Sequence, residues 1–576
     1  MLPRLALLLF LSIHCVAQDK GTCRCCELGR IYAPYLKDLP TPKKRDNIGN
    51  SHLKITTKSP AAQQWFDQGL NLLHAFWEFE AYRCFLQAAK EDPDCAMAYW
   101  GVCMSLPGKN PESSAEREAA LAKAKDLAGN QEIKITALEK LYIDTAESLV
   151  KGGTKSAIPG LKLILKKFPE DAEATAFLAL WLRDGYSTTG KPKSGTKEAI
   201  ALLEKALKKH PQHTGLNHYY IHVLEQGPDF NKARKAAIEL PKVAPDAGHL
   251  VHMPGHIYYL AGEYEKACQA FRDCHKVESA YLEEEQIPAV DNQNYLHNLH
   301  FLAYAAADQG RYKEALKAST LLAEAKVPDA RSQAIGAHQI YYLSSTVTAL
   351  VHMRSGKYDL AAASLLPDAI PNNSGARHYV LFLRSYCRLR HAITHPEESG
   401  SAQVIQREKL ALSQHLKALQ SADPGKTAAT QPWAQALTAC KILRNEARAW
   451  IENAKPNKAF KKTWASIAIR ESNRAGYTEP PLLIVPVEES LGWLALHVGD
   501  HKQAKIYFTE SLKERPNSGH AYLGIARSYR RLDDTKMACE NYQKLLDAFL
   551  HADKNLPVIQ EAKNFLAEHQ KTTEDE

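Results

Sequence analysis

The chain has 576 residues, too many for one ordinary compact core, so its length points to several domains or to one elongated repeat array. With 45% hydrophobic and 24% charged residues it is not a disordered chain. The formal charge of +8 is dispersed, with acidic residues interleaved among basic ones in stretches such as KLILKKFPED, which describes a solvated helix face and argues against a nucleic-acid groove.

Residues 1–17, MLPRLALLLFLSIHCVA, carry one basic residue, Arg4, an apolar run from Leu5 to Ile13, and small residues at Cys15 and Ala17. That is the pattern of a secretory signal peptide cleaved after Ala17. A lipid anchor on Cys15 would want a small residue where His14 stands. No other apolar run approaches the roughly 20 residues of a membrane span. The expectation is a secreted, extracellular protein, or a periplasmic one in a bacterial host, with no membrane and no nucleic-acid partner.

Removing the signal leaves eleven of the twelve cysteines. Cys23, Cys25 and Cys26 crowd residues 18–60. In an oxidising compartment they predict a disulfide tether to Cys84, Cys95 or Cys103, with a metal-binding CxCC as the lesser alternative.

From residue 61 onward the chain carries an internal period. Gly69, Ala81, Phe85, Ala88 and Pro93 have the spacing of a tetratricopeptide repeat, a helix-turn-helix unit of about 34 residues. Ala199 and Pro211 return one repeat later as Ala233 and Pro245, and the frame continues through Gly262, Tyr264, Ala267 and Phe271. Ala504 and Phe508 are likewise followed, one repeat on, by Ala538 and Tyr542. The predicted fold is therefore all-α, a superhelical solenoid of stacked antiparallel helix pairs with a concave groove.

Turn-rich stretches at 105–114, 184–196 and 283–294 mark loops. A first array is expected over 61–393, an irregular boundary over 394–430, a second array over 431–565 and a short acidic tail over 566–576. Asn372, in Asn372-Asn373-Ser374, is a glycosylation acceptor if the host is eukaryotic.

Eight histidines fall between residues 218 and 300, more than twice their share of the sequence. His218 and His222, in LNHYYIHVLE, precede His252 and His256 by one repeat, and His249 joins them in HLVHMPGHIYYL. His297 and His300, in NYLHNLHFLAYAA, continue the phase. Residues three or four apart share a helix face, and adjacent helices pack about 8 to 10 Å apart, so three neighbouring helices would present imidazoles to one layer of the groove.

Neutral imidazoles suit a borderline metal, with copper or zinc favoured and iron compatible. Glu225 is a candidate ligand, or a base acting on metal-bound water. Tyr219, Tyr258 and Tyr304 are candidates for hydrogen bonds behind the ligands. The alternative is a polar peptide groove without metal. Signatures of zinc proteases, haem attachment, nucleotide binding and serine hydrolases are absent from the sequence. Cys268 and Cys274 read as core, His338 and His352 as core or surface, and His74 as a groove residue distant from the cluster.

FDQGLNLLHAF, LNHYYIHVLE, AGHLVHMPGHIYYLAGEY and YLHNLHFLAYAA together resemble a largely bacterial, uncharacterised group of tetratricopeptide-repeat proteins with HYYIH, HLVHMPxHIY and HNxHFL motifs. The resemblance covers roughly residues 60 to 310. It implies a repeat fold with a histidine-lined groove, and it implies no reaction.

The leading reading is a secreted solenoid that binds a transition metal through His218, His222, His252 and His256, with His249, His297 and His300 as alternates, in a site compatible with a metalloenzyme. The rival readings are an interaction scaffold that takes a peptide or protein segment in the groove, and a structural extracellular matrix protein.

Overall fold

The computed structural model describes residues 39–106, 111–187, 189–328, 335–454 and 460–574. The segment 1–17, expected to be a signal peptide, and Cys23, Cys25 and Cys26 lie outside them. Among the described residues the secondary structure is helical, and the one β contact is an isolated bridge between Tyr186 and Pro192. Successive helices pack as antiparallel pairs joined by short turns, so the fold is an all-α solenoid of the tetratricopeptide type. No helix among the described residues is long and apolar enough to cross a membrane.

The periodic residues form the repeat's packing unit. Phe85, fully buried on the helix Glu78–Glu91, lies against Gly69 on Pro60–His74 and Gly101 on Ala96–Ser105. A Cβ on Gly101 would stand 2.2 Å from the Phe85 ring, so the small residue is required for three helices to meet. Phe508 repeats the arrangement between Gly492 and Gly524, and Phe271 packs in the same way on Gly255. Burying each such ring is worth about 2 to 3 kcal/mol.

Gly262 and Gly310 end the first helices of two central repeats at φ of 71° and 72°, a left-handed conformation that a Cβ would strain. Both turns dock against the C-terminal repeats. Asn517 Nδ2 donates to the Gly262 carbonyl at 3.4 Å, and the Asp553 N–H donates to that of Gly310 at 3.1 Å. The array thus curls back on its own middle. A buried ion cluster fastens the closure, with Arg354 bound to Asp308 at 2.7 Å and to Glu489 at 2.5 Å.

One apolar core runs from Ile48 to Ile287 and a second from Tyr259 to Ile525, with a smaller one from Leu523 to Phe565. The two large cores meet at the histidine-bearing helices. The segment 394–430, expected as an irregular boundary, instead contains the 21-residue helix Ser401–Ser421, which pairs with Gly375–Thr394 inside the second core. Most of the expected tail belongs to the helix Pro557–Glu574.

Residues 39–59 form a non-helical strap that buries Ile48, Leu53 and Ile55. Asn50 N–H donates to Thr214 Oγ1 at 2.9 Å, and Thr56 N–H donates to Glu139 at 2.5 Å. Cys84, Cys95 and Cys103 are free, buried thiols that serve as small apolar fillers of the first core, and the partners expected for them, Cys23, Cys25 and Cys26, lie outside the described residues. Asn372 is exposed in the turn before Gly375–Thr394.

Candidate metal centre

Three helices carry the cluster. Thr214–Leu224 presents His218 and His222, Gly248–Leu260 presents His249, His252 and His256, and Gln293–Asp308 presents His297. Asn292 caps the third helix by accepting from the Tyr295 N–H at 3.0 Å. Pro254 lies inside the second helix between His252 and His256, where it removes one N–H from the helical ladder.

The six imidazoles sort into two trios. Donor atoms of His218, His222 and His249 lie within 4.8 Å of one another, as do those of His252, His256 and His297. The side chains are sealed rather than groove-lining: none of these six residues exceeds 5% exposure. Among the described residues the histidines do not line an open groove as the repeat frame predicts, because Phe76, Phe301 and Glu479 close in on them.

Within each trio two Nε2 atoms face each other, at 3.0 Å for His218 and His222 and at 2.7 Å for His252 and His256. Their Nδ1 atoms point outward to oxygen. His218 Nδ1 lies 2.5 Å from the His74 carbonyl, His222 Nδ1 2.5 Å from Glu225 Oε1, and His252 Nδ1 2.8 Å from Asn298 Oδ1. His256 Nδ1 lies 2.9 Å from Glu225 Oε2. An oxygen at Nδ1 draws the proton there and leaves the inward Nε2 lone pair for a cation. Asn298 is oriented by its Nδ2, which donates to the Phe271 carbonyl at 2.8 Å.

His249, of the first trio, stands between the two facing pairs, nearly parallel to His222 at 6.0 Å and to His252 at 5.8 Å between ring centres. Both of its ring nitrogens are buried without a hydrogen-bond partner. Burial first, then the neighbouring imidazoles, push His249 and His252 well below the usual imidazole range. Burial opposes the charge of Glu225 too, but His222 and His256 beside it prevail and hold its carboxyl below the ordinary carboxylate range.

Aromatic rings wall the site. Phe76 lies 4.5 Å from His218 and 5.3 Å from His222, and Phe301 lies 4.6 Å from His256 and 5.0 Å from His297. Phe271, the packing ring of its repeat, stands 4.7 Å from His252.

Several expectations are revised by this geometry. His300 turns out of the cluster: its ring lies 4.7 Å from that of Tyr304, and burial alone lowers it to about 3. Tyr304 accompanies His300 and so is not behind a ligand. Tyr258 sits outside, its ring beneath Arg234 and Lys266. Tyr219 does back the site, 5.4 Å from His218, with its hydroxyl 2.9 Å from His74 Nδ1. Glu225 lies behind the inward Nε2 atoms, a position suited to orienting His222 and His256 rather than to acting as a base in front of them.

Four contributors escape sequence reasoning: Phe76, Asn298, Glu479 and the carbonyl of His74. Glu479 Oε2 reaches within 4.0 Å of His256 Nδ1 from far down the chain, and it groups with His222 and Glu225. His74, expected to be remote from the cluster, is brought beside it by the packing of Pro60–His74 on Thr214–Leu224. Its ring also pairs with Glu173, which His213 approaches at 3.0 Å.

Against known proteins, a sequence model described as a tetratricopeptide repeat matches residues 520–549. No curated protein matches the sequence. Among solved structures, one described as the APC/C hetero-tetramer Cut9-Hcn1 is similar at 13% identity with a TM-score of 0.31, covering 92% of this chain and 78% of the other. Another, a human IFIT1 dimer with m7Gppp-AAAA, is similar at 11% identity with a TM-score of 0.30, covering 87% and 92%.

Proposed function

We propose that the protein is a helical-repeat metalloprotein whose buried histidine cluster binds a transition metal, copper or zinc before iron. The observation that carries this reading is His249, whose two buried nitrogens lack any hydrogen-bond partner between two pairs of imidazoles whose Nε2 atoms already face each other. Leaving such groups unsatisfied costs about 1 to 3 kcal/mol each. A cation bound by the one lone pair of His249 and by the facing Nε2 lone pairs removes that cost at one His249 nitrogen and relieves the opposed pairs, while the other His249 nitrogen keeps its N–H.

The test is elemental analysis of untagged protein beside a His218→Ala/His252→Ala variant. Near-stoichiometric metal in the parent, lost in the variant, supports the reading. Failure of the parent to retain copper, zinc or iron after exposure to each ion would discard it. N-terminal sequencing of the protein from its host, giving residue 18 as the first, tests the proposed secretion.

A second reading, a scaffold for protein partners, is supported by the repeat architecture itself. Because the histidines are sealed, partner binding on this reading uses outer surfaces. It survives loss of the metal site, and pull-downs with the His218→Ala/His252→Ala variant separate the two.

A further inference from the structure

We infer that the cluster holds two ions, one in each histidine trio, and that the ion it selects is copper(I). This inference rests on reading the cluster as a metal centre.

The geometry divides the six imidazoles without remainder. Each trio has its own facing pair of Nε2 atoms, at 3.0 Å and 2.7 Å, and each is completed by a third histidine from the next helix in the stack. His249 completes the first from the helix after His218 and His222, and His297 completes the second from the helix after His252 and His256. The repeat duplicates the facing pairs: the step of one repeat that carries His218 onto His252 carries His222 onto His256, while His249 and His297, at a longer spacing, are each supplied by the histidine-bearing helix that follows. One ion at either facing pair leaves the other pair's lone pairs opposed.

Charge and coordination choose the metal. Imidazoles bind a metal as uncharged donors, and the walls are the rings of Phe76, Phe271 and Phe301. The carboxyl groups at hand are Glu225 and Glu479, whose two negative charges as carboxylates match two monovalent cations and fall short of two divalent ones. A surplus of buried charge is expensive in such surroundings. Zinc moreover asks for a fourth ligand in tetrahedral array, whereas three nitrogens complete a trigonal shell for copper(I). Glu225, touching His222 on one side and His256 on the other, ties the two half-sites together.

A surface group, His391, His395 and Glu398, also has metal-binding spacing. The experiment therefore uses the full chain carrying His391→Ala. The apoprotein is titrated anaerobically with copper(I) against a chromophoric chelator, and X-ray absorption is recorded on the loaded sample. The expected result is two equivalents bound, each with three nitrogen neighbours. His218→Ala/His222→Ala and His256→Ala/His297→Ala, added separately, should each keep one equivalent, with far-UV circular dichroism showing that the fold persists.

One equivalent in the parent overturns the pair and leaves the metal centre standing. Two equivalents of zinc that copper(I) does not displace overturn the choice of ion. No retention of copper, zinc or iron overturns the metal centre itself. Stoichiometry and absorption on the parent decide the matter even if a variant fails to fold.

Discussion

Asn298 Oδ1 lies 2.8 Å from His252 Nδ1, and this contact sets which nitrogen of His252 faces the cluster. Hydrogen bonds behind a metal ligand are commonly worth about 10- to 100-fold in affinity. Asn298→Leu should accordingly weaken binding at the second trio by about 10- to 100-fold while leaving the first trio unchanged. Competition titration reads the two affinities. Equal weakening at both, or at neither, contradicts the assignment of Asn298 to one half-site.

The fold is legible in the sequence because its packing unit is local: Gly69, Phe85 and Gly101 fall within a single repeat length and recur at a fixed period. The six clustered histidines are legible for the same reason, since helical phase places each on its own helix face. The closure of the superhelix is not. It depends on contacts such as Asn517 with Gly262 and Arg354 with Glu489, between segments that no period relates. The arrival of Glu479 follows from that closure, whereas His74 is brought near by the packing of its helix on Thr214–Leu224 within the first core. His300 departs from the expected stripe, its ring meeting that of Tyr304 one turn further along the same helix instead of the trio.

Glu278 is fully buried on the helix Tyr264–Glu285, where Asn292 Nδ2 donates to its Oε2 at 2.5 Å and Oε1 has no partner. Burial raises its carboxyl to about 7, against opposing pulls from Asn292 and from the charge of Arg45. Between the ordinary carboxylate value and about 7 the folded state binds the proton more tightly than the unfolded chain, so this group lowers stability as pH rises through that window. The full effect is on the order of 3 kcal/mol. Glu278→Gln keeps an oxygen acceptor for Asn292 and should raise stability at pH 8 more than at pH 5, as read by urea unfolding at both. An equal change at the two values would place the pH dependence elsewhere.

Arg354 is buried with Asp308 and Glu489, and Tyr259 donates to the same Asp308 at 2.7 Å. Removing one partner from a buried cluster strands the remaining charges. Arg354→Met should cost about 3 to 5 kcal/mol, and adding Asp308→Asn and Glu489→Gln to it should recover part of the loss. A single-variant cost below about 1 kcal/mol would mean that water reaches the cluster and that the closure is looser than the contacts indicate.

Phe76 follows the first repeat helix in a left-handed conformation, φ 54°, which a residue with a Cβ adopts at a cost. Asn294 holds it there by donating to its carbonyl at 3.3 Å, and the half-buried ring covers His218, His222 and His249. That position makes it the cover of the first trio. Phe76→Gly removes the ring and the strain together, so their effects on stability oppose each other and the net change should stay within about 1 kcal/mol. Release of metal from the first trio to a chelator should nevertheless become faster, while release from the second trio, walled by Phe271 and Phe301, keeps its rate. Stopped-flow release separates the phases, and acceleration of both would show that the ring supports the cluster as a whole instead of covering one half of it.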